Sequence, residues 1–147
     1  MLDPGYLFAV ATRTNAAHAA LGTELLGVEP HGATIRVLWR PDLGGGDPGT
    51  WANGVVSSLL DHACSLAALV SLGDLRRYGG TIGLRIDYRG GGGAAPVLIA
   101  RAVCEAPAGS VLRVNGQVFA PGASPDPVAV GLCTIALNPV VHDVGAT

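Results

Sequence analysis

The chain has 147 residues, 49% of them apolar and 14% charged, with a formal net charge of −2. That size suits a single domain over residues 1–147 with a real buried core. The near-neutral balance leaves no basic field for a nucleic-acid backbone, so nucleic acid is not an expected partner. All nine basic residues are arginine, which reads as the mark of a GC-rich genome rather than of guanidinium chemistry.

Cys64, Cys104 and Cys133 are odd in number, widely spaced and set in apolar runs. They read as small core residues in a reducing compartment, not as a disulfide set or zinc ligands. The N-terminal "MLDPGYLFAV" lacks the basic n-region and long apolar stretch of a signal peptide. No apolar run reaches ~18 residues without a polar interruption, so no membrane span is expected. A soluble, cytoplasmic protein is expected.

Along the chain, "DPGYLFAVATRTNAAHAALG" predicts one short helix, with Asp3 as N-cap, Pro4 at the first helical position and Gly22 as the stop. "TELLGVEPHG" and "ATIRVLWRP" predict two strands around a Pro-His-Gly turn, with Ile35, Val37 and Trp39 alternating against Thr34, Arg36 and Arg40. "DLGGGDPG" is a loop. A long helix then runs from about Asn53 to Leu72 and stops at Gly73. Its apolar residues cover most of the circumference, as in a helix packed on more than one side.

After the connector "GDLRRYGG", four strand-like runs follow: "TIGLRIDYRG", "PVLIARAVCEA", "SVLRVNGQVFA" and "PVAVGLCTIAL". In the first, Ile82, Leu84, Ile86 and Tyr88 alternate against Thr81, Arg85, Asp87 and Arg89. The separators "GGGGAA", "PAG" and "PGASPD" suit antiparallel neighbours. "GGGGAA" precedes a strand rather than a helix, so it is a turn and not a phosphate cradle. The expected class is α+β: one long helix against a mostly antiparallel sheet, preceded by a short helix. Such a sheet leaves edges to manage, and association with copies of the same chain is the usual answer.

Asp61 is the anomaly. A carboxylate inside an apolar helix costs several kcal/mol unless it is paired, hydrogen-bonded or protonated. Ser57, Ser58 and Ser65 lie four and three residues before it and four after, predicting a narrow polar stripe that bonds the carboxylate. By position alone, Asp61 is either a serine-bonded carboxylate at a polar seam or a reactive group. His62 is about 100° round the helix from Asp61, so the two cannot face one substrate, and it reads as structural or solvent-facing. His18, His31 and His142 have no carboxylate or Cys at ligand spacing, so no metal site is expected.

The element order and the helix motif resemble the hotdog fold, and more narrowly the acyl-CoA thioesterases of the phenylacetate-pathway, PaaI-like group. "GTWANGVVSSLLDHACSLAA" keeps Gly49, Thr50, Gly54, Leu59, Asp61 and Ala67–Ala68 at matching spacing. "TIGLRIDYRG" keeps Thr81, Leu84, Ile86 and Tyr88. The likeness covers about residues 20–138. It departs where the group carries His-Gly, here Ala52-Asn53, and where a Pro often follows the strand after Tyr88.

The resemblance implies hydrolysis of a coenzyme A thioester to acid and thiol without cofactor or metal, by a homodimer or a dimer-of-dimers tetramer. It makes Asp61 the nucleophile or general base, and Thr81 a hydrogen-bonding partner of Asp61 or of the attacking water. The backbone N–H at Asn53, beside Gly54, would face the oxyanion; as bare sequence, Asn53 reads equally as a helix cap. The resemblance also puts the site between subunits, so Asn53 and Asp61 of one site come from different chains. Ser57 and Ser65 are candidate substrate contacts. Arg89, with Arg76 and Arg77 as rivals, is the candidate for the coenzyme A phosphates, or else solvated surface. Two other readings stay open: a non-catalytic acyl-CoA-binding module, and a hydratase or dehydratase, which the absence of the usual His at position 52 argues against.

Overall fold

The computed structural model describes residues 2–90 and 93–140; His142 and part of the Gly-rich turn lie outside the described residues. The expected single first helix is two. Asp3 Oδ2 accepts the Tyr6 N–H at 2.8 Å and opens α1, Pro4–Arg13. Asn15 then takes an extended conformation, and its Oδ1 accepts from the Ala17 and His18 amides, starting α2, Ala16–Leu21. An Asn side chain that can bond its own backbone favours a cap over a helix interior, and here it splits the segment.

Gly22, at φ 65°, ends α2 in the left-handed conformation. Arg40 holds that end: Nη1 donates to Leu21 O and Nη2 to Ala20 O, both at 2.9 Å, while Asp42 accepts from its Nε at 3.1 Å. A cation at a helix C-terminus satisfies free carbonyls and suits the dipole.

The strands are β1 (Glu24–Glu29), β2 (Gly32–Leu38), β3 (Tyr78–Tyr88), β4 (Val97–Cys104), β5 (Val111–Phe119) and β6 (Ala129–Leu137). They form one sheet in the order β1-β2-β4-β5-β6-β3, antiparallel at every junction. Between β2 and β3 runs α3, Asn53–Leu72, ended by left-handed Gly73 as expected. Among the described residues it is the one helix long and apolar enough to cross a membrane, and it is mostly buried as the core helix.

The concave face of the sheet supplies Ile35, Val37, Leu98, Ala100, Leu112, Val114, Val118, Cys133 and Ile135, all fully buried against α3. Gly116 and Gly131 are partners across β5 and β6. A methyl group on either would come within 2.4 or 2.5 Å of Leu60, which lies between them with no exposed surface. The glycine pair lets the middle of α3 sit directly on the sheet, and this fixes where Asp61, the next residue, points.

β3 begins at Tyr78, earlier than the connector reading allowed, and its register shifts between Tyr78 and Gly80 and again between Thr81 and Gly83. Ile82 is the extra residue of the second shift and is 65% exposed. Simple alternation would have put Ile82 inward and Thr81 outward. The bulge reverses this while leaving Leu84, opposite buried Cys133, on the core side.

Candidate active site

Asp61 stands on α3 where the helix faces the start of β3 on one side and α1 and α2 on the other. Between them lies a cleft of about 530 Å³. Val10, Ala11, Leu69 and Leu75 give it apolar walls; His18, Asp61, Ser65, Tyr78 and Thr81 supply its polar groups. The Asp61 side chain is 23% exposed, so the carboxylate is reachable from the cleft yet largely desolvated.

Each carboxylate oxygen has one donor. Thr81 Oγ1 donates to Oδ1 at 2.9 Å, and His18 Nε2 meets Oδ2 at 3.1 Å. Burial pushes the Asp61 pKa up, but the hydrogen bonds from His18 and Thr81, with the charge that His18 and His62 carry once protonated in acid, outweigh it and leave the group below its ordinary 3.8. The carboxylate is therefore ionised at neutral pH. Behind Thr81, Cys133 Sγ lies 3.8 Å from its Oγ1. With the hydroxyl proton given to Asp61, that oxygen can accept from the thiol.

The expected serine stripe does not hold Asp61. Ser57 Oγ donates to Gly54 O at 3.0 Å, the local bond a helical Ser makes with its own backbone. Ser65 is buried at the cleft wall and accepts from the Tyr78 hydroxyl at 2.9 Å. His62 is fully buried, not solvent-facing. Its Nε2 meets Thr12 Oγ1 at 3.3 Å and its Nδ1 meets Thr23 Oγ1 at 3.2 Å. Thr12 already donates to Phe8 O, so its oxygen must accept, which fixes the proton of His62 on Nε2. The His62 ring is sandwiched between Phe8 and His18, with centroids 5.6 and 4.5 Å away.

His18 is the residue that spacing along the chain could not find. It is 2% exposed, forty-three positions from Asp61, and is brought to it by the α2 turn. The only local sign was Asn15, whose cap fixes the helical phase of the imidazole.

Asn53 and Gly54 lie elsewhere. Asp61 is more than two turns along α3 from Asn53, roughly 12 Å at 1.5 Å per residue. Asn53 lines a second, smaller cleft of about 170 Å³ with Thr50, Trp51, Val56 and Tyr88. It is not the N-cap: Ala52 is, and makes no side-chain cap bond, because the extended residue before the helix falls one position earlier than expected. Among the described residues the N–H groups of Asn53 and Gly54 donate to nothing, while the Asn53 carbonyl accepts from the Tyr88 hydroxyl at 3.2 Å. A methyl on Gly54 would meet nothing within 4 Å. Arg89 is exposed just past the end of β3, between Tyr88 and Gly90; those two line this second cleft and Arg89 does not. Arg76 is bound to Asp74 through Nε and Nη2 at 3.1 Å. Among the described residues no cluster of three His, Cys, Asp or Glu could hold a metal ion.

A long central helix wrapped by a six-stranded antiparallel sheet is the hotdog fold, and the solved structures this chain resembles are thioesterase-superfamily and PaaI proteins. A thioesterase family protein from Silicibacter pomeroyi superposes with a TM-score of 0.77 at 18% identity, over 92% of this chain and 98% of that one. The E. coli PaaI protein from the phenylacetic acid degradation operon matches with a TM-score of 0.69 at 19% identity, over 90% and 97% of the two chains. A point mutant of the phenylacetic acid degradation protein PaaI from Thermus thermophilus matches with a TM-score of 0.69 at 25% identity, over 83% and 98%. No family model and no curated protein matches the sequence.

Proposed function

We propose that the protein hydrolyses an acyl-CoA or related thioester, with Asp61 as the group that attacks the thioester or activates water for the attack. The observation that carries this reading is the Asp61 carboxylate itself, ionised, gripped by two donors and open to a cleft with apolar walls. An acyl chain suits those walls. A carboxylate with one lone-pair direction left on each oxygen can take a proton from water or add to the carbonyl. Thr81 holds Oδ1 and so orients the pair.

The charge that develops on the thioester oxygen needs donors, and the first turn of α3 has two that are unused. Glycine in a helix costs roughly 1 kcal/mol against alanine, and Gly54 has no neighbour that forbids a side chain. Close approach of a substrate or of a second chain would account for it. One chain cannot bring Asp61 and these amides to one carbonyl, so we propose a homodimer, alone or doubled to a tetramer. In it the Asp61 cleft of one protomer adjoins the α3 N-terminus of its partner. Arg89, near that N-terminus, is then placed to meet coenzyme A phosphates, and the three free cysteines suit a reducing compartment such as the cytoplasm.

A panel of aliphatic and aromatic acyl-CoAs, assayed for thiol release, tests the reading against Asp61→Asn. Turnover is expected to fall by roughly 10²-fold or more, with the melting temperature within a few degrees of wild type. An Asn variant as active as wild type would remove Asp61 from the chemistry. The loss of the usual His-Gly pair at Ala52-Asn53 favours a second reading, a binding module, which predicts that acyl-CoA raises the melting temperature while no thiol appears.

A further inference from the structure

We infer that His18 is a positioning residue for Asp61: its Nε2–H holds one carboxylate oxygen and so fixes how the carboxylate faces the cleft. The consequence for catalysis rests on the thioesterase reading; the geometry does not.

His18 Nε2 lies 3.1 Å from Asp61 Oδ2, and the residue is 2% exposed. Its Nδ1 is buried with no hydrogen-bond partner among the described residues. A proton there would be a stranded donor, so Nε2 is the nitrogen that carries one, and it points at the carboxylate. The ring cannot swing away. It stacks on His62 at 4.5 Å with 12° between planes, and His62 is locked by Thr12 and Thr23.

The backbone beneath His18 is anchored at both ends of α2. Asn15 bonds the His18 amide itself, and Arg40 grips the carbonyls of Ala20 and Leu21. A six-residue helix would fray if left alone; held this way, it works as a bracket for one imidazole. Asp61 is the reacting partner and His18 the support, because the carboxylate faces the cleft with 23% of its side chain exposed while the imidazole has 3%.

The titratable groups around the carboxylate are His18 from α2, His62 and Cys64 from α3, Tyr78 from β3 and Cys133 from β6. From α1 and its C-cap the facing residues are Val10, Ala11 and Thr14. Of these groups only His18 donates directly to Asp61; the other direct donor, Thr81, is uncharged.

The test is a carbon-13 titration of the Asp61 carboxyl in wild type, His18→Leu, His18→Asn and His18→Gln, run beside pH profiles of kcat/KM. Leucine has no donor and asparagine is too short to reach Oδ2, whereas the glutamine amide carries its N–H the same number of bonds from the backbone as Nε2. In the Leu and Asn variants the Asp61 midpoint and the acid limb of the profile are expected to move up together. kcat/KM should fall about tenfold at neutral pH, the order of one charge-assisted hydrogen bond. Gln is expected to restore both. If no variant that folds moves the Asp61 midpoint, or if Gln fails to restore a midpoint that Leu and Asn displaced, the inference is overturned. A displaced midpoint in a protein whose wild type releases no thiol from any acyl-CoA would uphold the bracket and defeat the thioesterase reading.

Discussion

His62 is a buried base with every hydrogen bond made in its neutral form. Burial, with His18 adding to it and Asp61 opposing it, lowers its pKa from 6.5 to about 4. Between those values the unfolded chain binds a proton that the folded chain refuses. Stability is therefore full above pH 6.5 and declines as pH falls toward 4, by ~3 kcal/mol for a shift of this size. Urea melts at stepped pH should show that decline in wild type and its absence in His62→Gln; an equal decline in both would place its source elsewhere. Asp61 adds a loss only at lower pH, since its own depressed pKa stabilises the fold until the carboxylate is protonated. At this scale, the sequence marked Asp61 as anomalous because a charge amid Leu and Ala needs partners. It could not supply those partners. Of the serines predicted at helical spacing, Ser57 turns to its own backbone and Ser65 to Tyr78, and the donors are Thr81 and His18, the second of which no local period connects to Asp61.

Elements follow the pattern of the chain more closely than side-chain partners do, with failures that have local causes. The long helix, its glycine stop and the strands after it were legible from apolar periodicity and turn residues, since each segment buries one continuous face. The split into α1 and α2 was not, because the apolar pattern runs on through Asn15 and only its capping side chain marks the break. The bulge at Ile82 was not either, since alternation cannot reveal an inserted residue that changes the phase between Thr81 and Leu84. Packing of α3 on the sheet yields a sharper expectation. A β-carbon at Gly131 would lie 2.5 Å from a Leu60 methyl and 2.8 Å from the Arg85 carbonyl, and the backbone cannot yield as a side chain can. Gly131→Ala should cost about 1–3 kcal/mol by overpacking, read as a lower urea midpoint at unchanged slope. A variant as stable as wild type would mean that α3 is not seated on the glycine pair.

For the whole molecule, α3 bears different chemistry at its two openings: a carboxylate in one cleft and unused amides at the other. The homodimeric reading makes a quantitative prediction. Asn53→Pro removes one of those amides at the helix position where proline is best tolerated, and Ala52 already has the extended backbone a following proline requires. Asn53→Pro and Asp61→Asn should each be nearly inactive. Unfolded together and refolded as a mixture, they should regain roughly a quarter of wild-type turnover, because half the dimers are mixed and one of their two sites is intact. No recovery despite exchange of subunits would confine the chemistry to a single chain. The seat of α3 on Gly116 and Gly131 has a mechanical corollary for such a pair. A rod pinned at its midpoint is a lever, and Asp61 stands one residue from the pivot at Leu60. Whatever small tilt the ends of the rod undergo on meeting a ligand, the reactive carboxylate keeps its place.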